Sequence, residues 1–194
     1  MKTKSLKLAV ILFLGLTVFD SCKKGENDPA ISLRSRDARL TGEWKLVELE
    51  RNATSTSTTT GFGAGSNTNS ETRRFDGTTM TITTSGGSNS FTYSKNITIE
   101  KDGTYTLKVT SATTGNSDSY EEKGRWSWLS DAKNKTRILV DGLGVYTIDQ
   151  LKNSEMIWLE EFESTDVDVM TIAGQTSTTT TVDRFSEKSV FEKQ

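Results

Sequence analysis

Histidine is absent from the 194 residues, and cysteine and proline each occur once. Without histidine neither a Ser-His-Asp nor a Cys-His nucleophile system can be assembled, and a zinc site loses its usual nitrogen ligand. Long apolar runs are equally scarce: only residues 8–19, LAVILFLGLTVF, form one. As a helix that run rises about 18 Å against a hydrocarbon core of about 30 Å, too short for a membrane span. A surplus of basic charge is also missing. The net charge is −2, and no basic patch interleaved with aromatics is present, so nucleic acid is not an expected partner.

Carboxylates are the remaining source of chemistry: Glu121 and Glu122, then Glu160, Glu161 and Glu163, then Asp166 and Asp168. Glycoside hydrolysis needs two such groups at set separations across a cleft, whereas acids spaced along a strand usually form a solvated face. Asp166 and Asp168 lack the glycine and terminal glutamate of an EF-hand loop. The GFGAG run at 61–65 has no following Lys-Ser/Thr and so is not a phosphate loop. A non-enzymatic protein with no cofactor and no metal is the expectation.

The apolar run follows Lys2, Lys4 and Lys7 and leads into "VFDSCKKGENDP", which holds the lone cysteine, Cys22. A basic start and a short apolar core are the marks of a secretory signal. Ser21 before the cysteine and "KK" after it resemble the lipobox of bacterial lipoproteins, in particular those of Bacteroidetes. The resemblance implies cleavage before Cys22, a diacylglycerol thioether on its sulfur and a fatty acyl group on its new amine. Several chains are needed because one acyl chain gives only reversible membrane binding, at about 0.8 kcal/mol per buried methylene. Residues 1–21 are thus expected as a signal peptide and 22–39 as a lipidated tether. Within the tether, 30–40 form a short helix capped by Asp28 or Ser32. Residues 40–194 are left for one soluble domain, a monomer placed at the outer membrane, on its periplasmic face or at the cell surface.

From Phe91 onward the hydrophobic period is two. Phe91, Tyr93, Ile97 and Ile99, then Tyr105, Leu107 and Val109, then Trp126 and Trp128, alternate with polar residues. Ile138 and Val140, Tyr146 and Ile148, and Met156, Trp158 and Phe162 continue the pattern. Such alternation predicts antiparallel strands with one buried face. One hairpin can be argued to its register: a three-residue loop Lys101-Asp102-Gly103 pairs Ile99 with Tyr105 and Ile97 with Leu107, with Gly103 left-handed in a G1 bulge. The same parity places Trp126 opposite Val140 and Ile148 opposite Met156. The Thr/Ser/Gly/Asn tract at 52–70 is expected as a loop and "TSTTTT" at 176–181 as a strand. A meander of about eight or more such strands removes its edges best by closing into an up-and-down barrel, with folding over into a sandwich as the other outcome.

"LTGEWKLVELE" opens the domain with Gly42-x-Trp44, and "ITIEKDGTYTL" and "GRWSW" follow. These stretches resemble the lipocalin-like lipoproteins of Bacteroidetes over roughly 40–186. The resemblance implies an all-β, lipocalin-like barrel in which Trp44 closes one end beneath a basic residue from a late strand. Arg184, in "VDRF", is the candidate for that residue. Tyr105, Trp126, Trp128, Tyr146 and Trp158 share the inward parity. They either fill the core or line a cup for a small apolar or amphipathic ligand, with Glu122 and Gly124 at its mouth. A filled core would shift binding of a protein or glycan to the loops.

Overall fold

The computed structural model describes residues 27–29, 34–129 and 135–194. Cys22, the export signal and most of the expected tether lie outside them. Among the described residues, one short helix, α1 (Arg36–Leu40), precedes ten strands. These are β1 (Gly42–Gly61), β2 (Gly65–Phe75), β3 (Thr79–Thr84), β4 (Gly87–Ile99), β5 (Thr104–Thr113), β6 (Asn116–Trp128), β7 (Arg137–Val140), β8 (Gly144–Leu151), β9 (Glu155–Ile172) and β10 (Gln175–Lys193). Every pairing is antiparallel and each strand pairs with its sequence neighbour. β10 returns to β1, giving a closed up-and-down barrel.

The ring has two tiers. At the end holding the chain's entry, Gly42 to Lys45 pair directly with Ile99 to Asn96 of β4, so β2 and β3 take no part there. From Leu49 upward, β1 pairs instead with β2, and the β2–β3 hairpin enters between β1 and β4. A bulge between Leu46 and Glu48, set against β10, accompanies this change of partner.

The argued hairpin is present: Ile97 faces Leu107, Ile99 faces Tyr105, and Gly103 has φ +84°. Trp126 faces Val140. Ile148, however, faces Trp158 rather than Met156, because a bulge between Ile148 and Gln150 shifts the register and gives Met156 to Leu151. The threonine tract at 52–70 is not a loop. It builds the far ends of β1 and β2, turning only at 62–64. Threonine is β-branched and suits a strand, and here hydroxyls pair across it: Ser57 with Thr181 and Thr59 with Thr179, both at 2.9 Å.

The apolar core fills the lower tier, around Trp44, Leu46, Ile97, Ile99, Leu107, Ile138, Ile148, Trp158 and Phe191. Parity sets the outer face. On β1, Glu43, Lys45 and Glu50 alternate with the buried Trp44, Leu46 and Leu49. On β6, Glu121, Lys123 and Arg125 are exposed. The outward positions of these two strands therefore carry charge.

Candidate functional site

Gly42 and Trp44 close the lower end together. Trp44 is fully buried and its Nε1 donates to the Leu40 carbonyl at 2.7 Å. The basic residue over its indole is Lys193, whose Nζ lies 4.9 Å from the ring centroid. Lys193 Nζ also donates to the carbonyls of Arg39 (3.0 Å) and Thr41 (2.6 Å), at the end of α1. Gly42, at φ +131°, is bare for a reason: a Cβ there would stand 2.5 Å from Lys193 Cε. Arg184 is therefore not the closing residue. It lies on the outer face, exposed and 3.0 Å from Glu163. The parity of β10 contains the correct signal, since Phe185, Phe191 and Lys193 are all odd-numbered and Arg184 is not.

The entering chain seals this end. Asp28 is buried, accepting from the Leu151 amide at 2.8 Å and pairing with Arg36 (2.7 Å) and Arg39 (3.3 Å). Arg39 also donates to the Leu151 carbonyl. The cap of α1 is Ser35, which accepts from the Ala38 amide at 3.2 Å, so Asp28 has no capping role. Residues 27–29 and α1 thus pack as part of the domain, although the sequence reads as a tether up to residue 39.

The aromatic row, which parity left open as either core or cup, is mostly core. Tyr105, Tyr146 and Trp158 are buried, with Tyr146 stacked on Trp158 at 4.7 Å and Trp158 against Phe191 at 5.0 Å. Gly124 is no mouth. It is the slot for the Tyr105 ring, whose Cε1 would lie 2.7 Å from a Cβ at that position. Glu122 accepts from the Tyr105 hydroxyl at 3.1 Å, and the Asp141 carbonyl accepts from it at 2.5 Å. Burial, reinforced by Glu122, pushes the Tyr105 phenol up to about 12. Trp126 and Trp128 are half-buried and meet edge to face at 5.9 Å. Their indole nitrogens donate to the Glu100 carbonyl (2.9 Å) and to Asp37 (2.5 Å). The indole nitrogens of Trp126 and Trp128 are thus bonded within the fold, and Tyr105, Glu122, Trp126, Trp128, Tyr146 and Trp158 lie apart from the cavity described below.

A belt of charge lies on top of the core. Arg51 pairs with Glu187 at 3.7 Å and sets its guanidinium 4.4 Å over the Phe185 ring. Lys95 reaches toward the Phe191 ring at 6.0 Å, and burial holds its ammonium below the usual lysine range. Glu160 is pushed up, first by burial and then by the Glu187 carboxylate. Tyr93, flanked edge-on by Phe75 and Phe91, is pushed up by burial to about 12.

The interior opens above this belt. A cavity of about 490 Å³ is bounded by Arg51, Ala53, Glu71, Phe162, Asp183 and Phe185. Its apolar wall is the stacked pair Phe162–Phe185, with centroids 5.6 Å apart and rings 27° from parallel. Phe162 is 50% exposed, a large apolar surface left uncovered inside a barrel wall. Arg51 and Asp183 supply charges of both signs at its margin. This is an amphipathic cup, one tier higher than the row of tryptophans. A second depression of about 590 Å³ lies outside the barrel, among Val47, Glu48, Arg74 and Asp76, and Arg74 is 3.4 Å from Glu50 there.

The chain is thus a closed antiparallel β-barrel with a plugged end and an open end. No family model and no curated protein matches it. Among solved structures it is similar to Ail, the attachment invasion locus protein of Yersinia pestis, at 11% identity and a TM-score of 0.15, covering 76% of this chain and 99% of that one. The same protein in complex with the heparin analogue sucrose octasulfate gives 10% identity and 0.14, with the same coverage. Agreement of that size carries no argument, and the reading below rests on the barrel's own residues.

Proposed function

We propose that this protein is a non-enzymatic lipoprotein of the outer membrane, anchored through Cys22, whose barrel holds a small amphipathic molecule in the upper cup. One observation carries the ligand reading: the Phe162–Phe185 pair offers an uncovered stacked aromatic wall to a cavity of about 490 Å³, beside the Arg51 guanidinium. Ligand pockets combine such apolar walls with a few placed polar groups, within a range of about 300–1,000 Å³. An apolar body would lie on the two rings, and a polar end would meet Arg51 or Asp183. The filled lower core supports a ligand held near the rim, not one swallowed to the barrel's centre.

The anchor reading rests on the lipobox resemblance around Cys22, and the geometry is compatible with it. Residue 27 docks at the plugged end, where the Asn27 side chain donates to Asp149 at 3.0 Å. An anchor a few residues earlier would leave the cup facing away from that end. Two measurements test the two parts separately. Cys22→Ala expressed in a bacterial host should lose lipidation and leave the membrane fraction; retention there contradicts the anchor. Titration of the barrel domain with anilinonaphthalene sulfonate, an amphipathic aromatic anion, should give saturable one-to-one fluorescence enhancement; a linear, unsaturable response contradicts the cup.

A further inference from the structure

The barrel wall has a slot above the β7–β8 turn. That turn lies between carboxylates of the two flanking strands. A Cβ on Gly142 would stand 2.5 Å from Glu122 of β6, and one on Gly144 would stand 3.4 Å from Glu160 of β9. β8 pairs with β9 only as far as Leu159, yet β9 continues to Ile172 with β10 as its sole partner among the described residues. Across the slot, β6 meets β7 only from Trp126 onward. On the side away from β10, residues 160–172 therefore present unpaired amides and carbonyls at alternate positions, over about 40 Å at strand rise.

We propose that this free edge of β9 docks an extended segment of a partner protein in which basic and β-branched residues alternate, added as a further antiparallel strand. The proposal does not depend on the cup. The edge reads E-E-F-E-S-T-D-V-D-V-M-T-I, with five acids and no base. Glu163 has Arg184 as partner, while Glu161, Asp166 and Asp168 form no ion pair among the described residues. Val167, Val169, Met170 and Ile172 are 59, 66, 59 and 60% exposed. Strand parity sorts the central run Asp-Val-Asp-Val into two faces: Asp166 and Asp168 share the face of Phe162, and Val167 and Val169 the outer one. An incoming strand is read in the same alternation, with cations opposite the aspartates and branched apolar side chains opposite the valines. A second copy is a poor occupant, since antiparallel β9–β9 pairing centred on Val167 sets Asp166 against Asp168, which is destabilising.

The test uses a synthetic peptide of about ten residues alternating lysine and valine, with a glutamate–valine peptide as counterpart, read by amide hydrogen exchange on the intact domain. Binding of the lysine peptide should slow exchange at alternate amides within 160–172. Asp166→Lys with Asp168→Lys, both exposed and thus harmless to folding, should weaken that peptide by about tenfold or more and favour the glutamate peptide. Equal binding of both peptides, or protection confined to other strands, would overturn the proposal. So would β9 protection that appears without peptide as protein concentration rises, which would assign the edge to a second copy.

Discussion

Lys193 covers Trp44, its Nζ 4.9 Å from the indole centroid while bonded to the last carbonyls of α1. Gly42 makes this possible by leaving the space that the lysine stem crosses. One side chain from the last strand thus joins the first strand to the helix that plugs the end. A cation over an aromatic ring contributes about 0.5–2 kcal/mol depending on desolvation. Lys193→Met should lower unfolding stability by about 1–2 kcal/mol in urea titrations, while Arg184→Met should leave the midpoint unchanged. Equal effects at the two positions would remove Lys193 from its closing role.

Gly124 and Tyr105 should behave as a unit. Gly124→Ala forces a methyl to within 2.7 Å of the buried ring, and overpacking of this kind costs about 1–3 kcal/mol. In a Tyr105→Leu background the same substitution should cost much less, and the non-additivity of the cycle measures the contact. Additive effects would mean that the ring does not occupy that slot.

Asp28 should count among the costliest single residues despite lying at the start of the described chain. Its removal leaves Arg36 and Arg39 buried against one another, and breaking a buried pair in this way costs about 3–5 kcal/mol. Asp28→Ala should lower the chemical denaturation midpoint sharply, whereas deleting the exposed Glu163–Arg184 pair should not. A mild effect at Asp28 would return residues 27–29 to the status of a tether.

Stability should depend on pH in two opposing stages. Burial and Glu187 raise the folded Glu160 above the usual glutamate range, so its ionised form disfavours folding. Stability should therefore rise as pH falls from neutral through that raised value, and the gain should be complete near the ordinary value of about 4.3. Asp76 and Asp102 are lowered by hydrogen bonds from Thr78 and Thr79 and from Thr104. They contribute stability above about pH 4 that is lost as pH drops through their folded values. Glu160→Gln should flatten the first stage and leave the second intact. A profile that does not rise between neutral pH and about 4.3 would contradict the raised Glu160 carboxyl.

Much of the barrel was legible because period-two alternation is a local signal that survives without tertiary knowledge. The Ile99–Tyr105 register followed from parity and one glycine. Two features were less accessible for physical reasons. The bulge after Ile148 breaks parity without any residue that announces it. The height at which the core gives way to a cup depends on where β7 and β8 stop relative to β9 and β10, a property of shear and strand length. Phe162 was visible as an inward residue, but nothing local said that it would clear the core while Trp158 would not. Lys193 was within reach of parity counted from Phe191. The threonine tract at 52–70 misleads because low complexity suggests a loop, while β-branching and pairing on both sides make a strand.

The most direct measurement of the central claim is anilinonaphthalene sulfonate affinity across three variants of the barrel domain. Phe185→Ala and Phe162→Ala remove the aromatic wall of the upper cup and should each weaken binding by about tenfold, the order of one lost ring-stacking contact. Trp126→Phe, in the row below, should leave the affinity unchanged. Binding that survives both phenylalanine substitutions, or that falls only with Trp126→Phe, would place the ligand elsewhere and contradict the account.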